Sequence, residues 1–341
     1  MIDVLIAGGG PAGLATAMWA AQVGLRALVV EPRISPIDKA CGEGIMPSGV
    51  RALRALGIEL QGAAIRGIRY RNTHTCVDSI FREHHGLGVR RTDLHAALHN
   101  RANQLGVTTE KSTVVSVQQK HDSVHAELTS GSVDARWLIA ADGLHSPLRR
   151  VLGLERASKG KKRFGLRQHF ETQPWTDLVE VHWSTNAEAY VTPLGPKLVG
   201  VAVLSAHKAS FDEHLAAFPE LRARLRGSAI STVRGAGPFP QYTRRRRCGR
   251  VLFVGDASGY LDPLTGEGIA LSVKTARALV AAIAIERPEL YESQWQSLTR
   301  KHRVLTGALL HIARRRRVAR QVVPAARALP WAFNAIVNAL A

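Results

Sequence analysis

The sequence predicts an α/β fold: a Rossmann-type dinucleotide-binding domain with an inserted β-meander, an antiparallel-sheet domain and a helical C-terminus. Three observations predict it. The chain opens on MIDVLIAGGGPAGLATAMWAAQVGLRALVVEP, which reads as strand, glycine turn, helix and strand. Residues 113 to 140 read as three short strands, and residues 163 to 205 as four runs of alternating apolar and polar residues. From 289 onward the apolar spacing becomes helical.

In the first unit, Val4 to Ala7 is an apolar run closed by glycine, Pro11 suits a first helical position, and Gly24 is a natural helix stop. Gly8, Gly10 and Gly13 form G-x-G-x-x-G, which supplies a tight turn, a backbone that a pyrophosphate can approach, and close contact between helix and strand. Pro11 and Ala12 open a helix whose free N–H groups and positive dipole end favour phosphate. Glu31 closes the next strand, 21 residues after Gly10, where a carboxylate accepts hydrogen bonds from both ribose hydroxyls. A dinucleotide with a free 2′-OH is expected.

KACGEGIMPSGVRALRALGI then reads as a Gly-rich turn docked over a ligand, followed by a short helix with Val50, Leu53 and Leu56 on one face. A second helix begins near Thr92, with Thr92 as its cap and Leu94, Leu98 and Leu105 on one side. The meander strands TVVSVQQ, SVHAELTS and SVDARWLIAA turn at His121-Asp122 and Ser130-Gly131, and the third runs into DGLHSPLRR. The strands RFGLRQHFE, DLVEVHWS, EAYVTPLGP and KLVGVAVLS are assigned to substrate and carry His169, His182 and Tyr190. A polar helix is expected near 209–226, and GRVLFVGDASGYLDPLTGEGIALSVK then gives a buried strand, an acid, a Gly-rich loop and a long helix. The expected divisions are 1–62, 91–160 and 241–288 for the nucleotide domain, 63–90 and 161–240 for the substrate domain, and 289–341 for the C-terminal helices.

Two further stretches point to a flavin. Asp256, at the end of the strand in RVLFVGDASG, is placed to bind a ribityl hydroxyl. Gly266 and Gly268 open a helix whose N–H groups suit the edge of an isoalloxazine ring that becomes anionic on reduction, an effect of about 0.3 to 2 kcal/mol. Taken with G-x-G-x-x-G and Glu31, with D-G-x-x-S-x-x-R from Asp142 through Ser146 to Arg149, and with Gly255-Asp256, the chain resembles an FAD-dependent family over nearly its full length. That family unites aromatic hydroxylases of the para-hydroxybenzoate hydroxylase type with the geranylgeranyl reductases. The resemblance implies FAD as cofactor. It places Asp142 where the FAD pyrophosphate and NAD(P)H pass, Arg91 near the flavin chain and Asp256 on the ribityl group. Pro32, Arg33, Cys41, Gly42, Gly143, Pro263 and Ile269 complete the expected cofactor set. With one nucleotide fingerprint in the chain, NAD(P)H is expected as a transient reductant.

The loops over the ring separate the branches of this family. GDASGYLDPLTGEGI and KACGEGIMP resemble the prenyl reductases, which makes Cys41 a candidate proton donor or substrate positioner. AYVTPLGP, around Tyr190 and Pro193, departs from the aromatic-rich strand of those enzymes. The W-x-W signature of flavin halogenases is absent, and no lysine lies between Lys39 and Lys111. The reading ranked first is an NAD(P)H-dependent monooxygenase that hydroxylates a hydrophobic aromatic or polyketide-like compound. Across the readings Cys41 and Tyr190 are the candidate catalytic residues, Cys41 being needed only by a reductase. A reductase of prenyl double bonds ranks second. A nucleic-acid-binding flavoprotein ranks last, because no aromatic-and-basic motif accompanies the charge.

Composition sets the outer bounds. With 341 residues, 45% of them hydrophobic, the chain can bury a large core, and no uncharged apolar stretch reaches the ~18 residues that span a bilayer. With the first strand starting at residue 2, no signal peptide is expected, and a cytoplasmic location follows. Cys41, Cys76 and Cys248 lack C-x-x-C spacing, so neither a disulfide framework nor a metal site is expected. The net charge of +19 is uneven: residues 293–341 hold no Asp or Glu and nine Lys or Arg, Arg314 to Arg317 among them. Trp295, Leu298, Leu305, Leu309 and Ile312 predict an amphipathic helix from Glu289 to about Val318, with Arg314 to Arg317 in its final turns. The tail ARALPWAFNAIVNALA, with Trp331 and Phe333, is apolar enough to lie at an interface or cover a substrate entrance. The expected partners are a hydrophobic small molecule and an anionic membrane face or acidic carrier protein.

Overall fold

The structure is a computed structural model that describes residues 2–158, 162–225, 227–313 and 316–341, without the side chains of residues 313, 316 and 317. The arginine side chains at 314–317 therefore lie outside the described residues. The strand Ile2–Ala7 is buried along its second half and pairs in parallel with Ala27–Val30 on one side and with Gly131–Ala140 on the other. Thr108–Glu110 and Val251–Phe253 extend this parallel core, and the meander strands Val114–Gln119 and Val124–Leu128 fold back on Gly131–Ala140. The helices Pro11–Gln22, Arg91–Gln104 and Gly268–Ala284 pack together on one face of this sheet through Leu14, Met18, Leu98, Ala276 and Leu279.

A seven-stranded sheet forms the second layer, in the order Arg234–Phe239, Arg163–Glu171, Leu198–Ser205, Ala187–Gly195, Leu178–Trp183, Gly67–Arg71 and Cys76–Ile80. It is antiparallel except where Leu178–Trp183 runs parallel to Gly67–Arg71. Alternation divides it into two chemically different faces. Val191, Val199, Val201 and Val203 point to one side and pack on Phe211, Leu215 and Leu221. Tyr190, Thr192, Val179, Val181 and Ala202 point to the other side, toward the nucleotide-binding half.

Several elements differ from expectation. The helix that opens at Arg91 has Arg90 as its N-cap, and Thr92 bonds its neighbour Asp93 instead of capping. The helix expected over 209–226 is two short ones, Phe211–Leu215 and Pro219–Arg224, because Pro219 cannot continue the first. The C-terminal region is Leu290–Ala313, Arg316–Ala319, Val322–Ala328 and Pro330–Leu340. The buried stripe of Leu290–Ala313 is Tyr291, Trp295, Thr299, His302, Thr306 and Leu310, whereas Leu298 is exposed. The helix is rotated from its apolar pattern because His302 and Thr306 are drawn inward by hydrogen bonds to Glu267 and Thr265.

On the helix-covered face of the second sheet, Glu180 is fully buried and accepts hydrogen bonds from Trp175 Nε1 at 2.9 Å and His182 Nε2 at 3.2 Å. Burial alone would raise its pKa, but His182, Trp175 and Arg71 outweigh it and hold the carboxyl at about 2. A folded pKa below the ordinary 4.5 means stabilisation that is complete above 4.5 and lost as pH falls through about 2. Glu180→Gln is expected to cost on the order of 3 kcal/mol at neutral pH. Chemical denaturation at a series of pH values checks this: the gap to wild type should close below pH 4.5, and a gap constant down to pH 2 contradicts it.

Candidate functional site

The glycine turn does three separable jobs. Gly8 has φ +113, and a Cβ there would lie 2.8 Å from the Ala141 carbonyl carbon, so its neighbour strand leaves no room for a side chain. Gly13 sits against the Gly8 carbonyl, which brings the helix Pro11–Gln22 onto the strand. A Cβ on Gly10, by contrast, would meet no protein atom within 4 Å. Gly10 is also the helix N-cap, with φ −73 and ψ −179, a conformation any residue adopts. Its bareness therefore serves a ligand, not the fold.

Around this turn stand carboxylates from three strand ends. Glu31 is buried and accepts from Gly9 N at 2.9 Å and from Arg33 N, Nε and Nη2 at 2.7 to 3.0 Å. Burial raises its pKa, and the Arg33 and Gly9 hydrogen bonds bring it below the ordinary carboxylate value. Asp142 gives one oxygen to Leu148 N at 3.1 Å, while its buried Oδ1 has no protein partner. Burial raises Asp142, and it raises Asp256 as well, against the pull of Lys39 and Arg91. The rest of D-G-x-x-S-x-x-R is architectural. Ser146 caps the helix Pro147–Val151, and buried Arg149 donates to the carbonyls of Leu144 and Ala257, clamping the Asp142 loop to the Asp256 loop.

A cavity of about 780 Å³ joins these groups to the second sheet. Its nucleotide end holds Gly10, Pro11, Ala12, Arg33, Arg91, Asp142, Gly143 and Asp256. Its middle holds Cys41, Gly42, Pro263, Gly266, Gly268 and Ile269, where Gly266 takes the left-handed conformation that turns the chain into the helix Gly268–Ala284. Its far end is apolar, lined by Ile68, Val179, Val181, Leu309, Phe333 and Val337. Tyr190 faces it as well, with its hydroxyl donating to the Leu264 carbonyl at 3.4 Å.

A buried polar network lies beneath the middle of the cavity. Glu43, which takes φ +59 although it is not glycine, accepts from Arg91 N at 2.8 Å and from His169 Nε2 at 2.7 Å. Arg167 donates to His169 Nδ1 at 3.2 Å and pairs with Asp38. A guanidinium only donates, so Nδ1 accepts and the proton of His169 sits on Nε2. The Glu43 N–H points at Cys41 Sγ, 3.4 Å away. Burial pushes the Cys41 thiol up, and the Glu43 carboxylate adds to the shift, so Cys41 keeps its proton at neutral pH.

Of the cofactor residues expected from sequence, all line the cavity except Gly8, Gly13, Glu31, Pro32 and Gly255. His182 lies on the opposite face of the sheet, bonded to Glu180. Lys39, Glu43, Arg167 and His169 belong to the site and were not expected there as a group. The flanking charges in KACGEG were the available signal for Lys39 and Glu43.

Residues 1–288 match the model of the FAD binding domain family. The chain belongs to that family. It is an FAD-dependent oxidoreductase. Among its relatives are a menaquinone reductase of Mycolicibacterium smegmatis, 28% identical over 88% of this chain and 80% of that one, and a chloroplastic geranylgeranyl diphosphate reductase of rice, Oryza sativa subsp. japonica, 29% identical over 83% of this chain and 66% of that one. Among solved structures, the flavin-dependent brominase Bmp2 superposes with a TM-score of 0.83 at 17% identity, covering 99% of this chain and 93% of that one. The Diels-Alderase PyrE3 superposes at 0.78 with 22% identity, covering 99% and 79%. At these identities the structures speak for the fold alone. The residues here fit FAD: the open space over Gly10 and the unpartnered buried atoms Asp142 Oδ1 and Arg91 Nη1 are polar ends awaiting a polar ligand.

The two glycine roles separate by mutation. Gly10→Val is expected to leave folding intact and abolish FAD content, because a Cβ there meets no protein atom within 4 Å and the side chain would occupy the space the pyrophosphate needs. Gly13→Ala is expected to lower stability by about 1 to 3 kcal/mol through overpacking against the Gly8 carbonyl. Absorbance of bound flavin together with thermal unfolding checks both, and stoichiometric FAD in Gly10→Val contradicts the assignment.

Proposed function

We propose that the enzyme is an FAD-dependent reductase of a carbon–carbon double bond in a long apolar, isoprenoid-type substrate, with NAD(P)H as the reductant of the cofactor. One observation carries the reading: a single cavity runs from the polar cofactor end to an apolar end lined by C-terminal helices, with the Cys41 thiol at the junction. The relatives named menaquinone reductase and geranylgeranyl diphosphate reductase support it.

Gly10, Arg91, Asp142 and Asp256 would hold the cofactor, with Asp256 toward the ribityl hydroxyls and the start of the helix Gly268–Ala284 toward the ring. FAD, when bound, supplies the electron pair for the reduction. The protein must then supply a proton to the second carbon. Cys41, at the middle of the cavity, holds one at its wall. Burial, and after it Glu43, keeps the thiol protonated, while Arg91 and Arg167 pull in the opposite sense and lower the cost of the thiolate left behind. The apolar sheet face of Ile68, Val179 and Val181 orients the chain and excludes water. Tyr190, tied to the Leu264 carbonyl, braces the loop that leads into Gly266 and is a positioning residue in this scheme.

Hydroxylation of an aromatic or polyketide-like compound would use the same cofactor end and ask nothing of Cys41. Cys41→Ala is therefore expected to lower turnover by about 10²-fold or more while FAD content and substrate affinity hold. Mass spectrometry of product decides the reaction type: a gain of two hydrogen atoms supports the reductase, and a gain of one oxygen atom contradicts it.

A further inference from the structure

We infer that the cavity rim built by the helices Val322–Ala328 and Pro330–Leu340 is a docking surface for an anionic lipid bilayer, from which an apolar molecule passes directly into the cavity. The inner faces of these helices are committed to the fold. Val323, Phe333 and Val337 are buried against the second sheet, and Asn338 accepts from Arg82 N at 2.9 Å and donates to the Ile80 carbonyl at 3.1 Å. The outer side is different. Leu329, 50% exposed, and Ile336, 39% exposed, line the cavity and face solvent at once, so they mark its mouth. At the joint between the two helices, Leu329, Pro330 and Trp331 form an apolar tip, with Trp331 71% exposed. A soluble face has no reason to present such a wedge beside an opening into an apolar cavity.

Charge selects the partner. Residues 293–341 contain no acid and nine basic residues, and of these Arg327 is exposed in the rim helix Val322–Ala328 and Arg320 in the turn just before it. An apolar wedge with basic neighbours matches an interfacial element that inserts Leu and Trp below anionic headgroups while Arg stays at their level. Among the described residues no helix is long and apolar enough to cross a membrane, so the element lies on the bilayer. An acidic carrier protein would satisfy the arginines but leave the Leu329–Trp331 tip without an apolar counterpart. What passes through the mouth rests on the reductase reading; the docking itself does not.

Co-sedimentation of the full FAD-loaded chain with vesicles of phosphatidylcholine, alone or mixed with phosphatidylserine, tests the inference. Binding to the mixed vesicles at low ionic strength is expected, weakened about tenfold or more by high salt. The double variants Leu329→Ser/Trp331→Ser and Arg320→Gln/Arg327→Gln should each bind about tenfold more weakly. Circular dichroism and FAD content certify that the variants fold. Absence of binding at low ionic strength, or equal binding by folded variants, overturns the inference, as does retention of an acidic protein without binding of vesicles. Sedimentation requires no turnover, so a chain that binds vesicles yet reduces no double bond keeps the docking surface and loses only the reductase reading.

Discussion

The site depends on one buried carboxylate. Glu43 is 3% exposed and takes a left-handed backbone conformation that costs an ordinary residue of order 1 kcal/mol or more. It is held there from both halves of the molecule: the Arg91 N–H reaches it from the nucleotide-binding half, and His169 reaches it from the second sheet. Arg167, behind His169, ties the same sheet to Asp38 in the loop before Cys41. Cys41 is therefore presented to the cavity by a turn that neither half could hold alone. A buried charge with partners on two layers fixes their relative placement, since moving either layer would strand it unpaired.

The two ends of the cavity follow from elementary patterning. Parallel strands end together at one edge, so their terminal acids, Glu31, Asp142 and Asp256, converge on the glycine turn, and Asp142 and Asp256 line the polar end of the cavity. The second sheet has both faces covered, one by the short helices after Ser205 and the other by the cavity and the C-terminal helices. Its alternation sends Val191 and Val201 into a packed core and Tyr190 and Ala202 toward ligand. The cavity thus follows the seam between a polar edge and an apolar face.

Much of this was legible in the sequence because it rests on local rules. The glycine fingerprint, the three meander strands and the four strands after residue 162 follow from turn residues and period-two alternation, and all occur where expected. The buried network was not legible. Nothing local marks Glu43 as left-handed or pairs it with His169, 126 residues away. Hydrophobic spacing also misplaced the buried stripe of Leu290–Ala313, because His302 and Thr306 are buried through hydrogen bonds that a hydropathy pattern counts as solvent-facing. Arg149 entered the sequence reading only as the last residue of a motif, and its role as a clamp on the Leu144 and Ala257 carbonyls is visible only when both loops are placed.

The most direct test of the proposal that electrons and a Cys41 proton are delivered in this cavity to a double bond is a single turnover without oxygen. The enzyme is reduced anaerobically with NAD(P)H and mixed with a quinone bearing a prenyl chain, and the product is measured before and after air is admitted. A product with one double bond fewer, formed in full before oxygen enters, is the result expected. No product until oxygen is admitted, with an oxygen atom then found in it, would contradict the account.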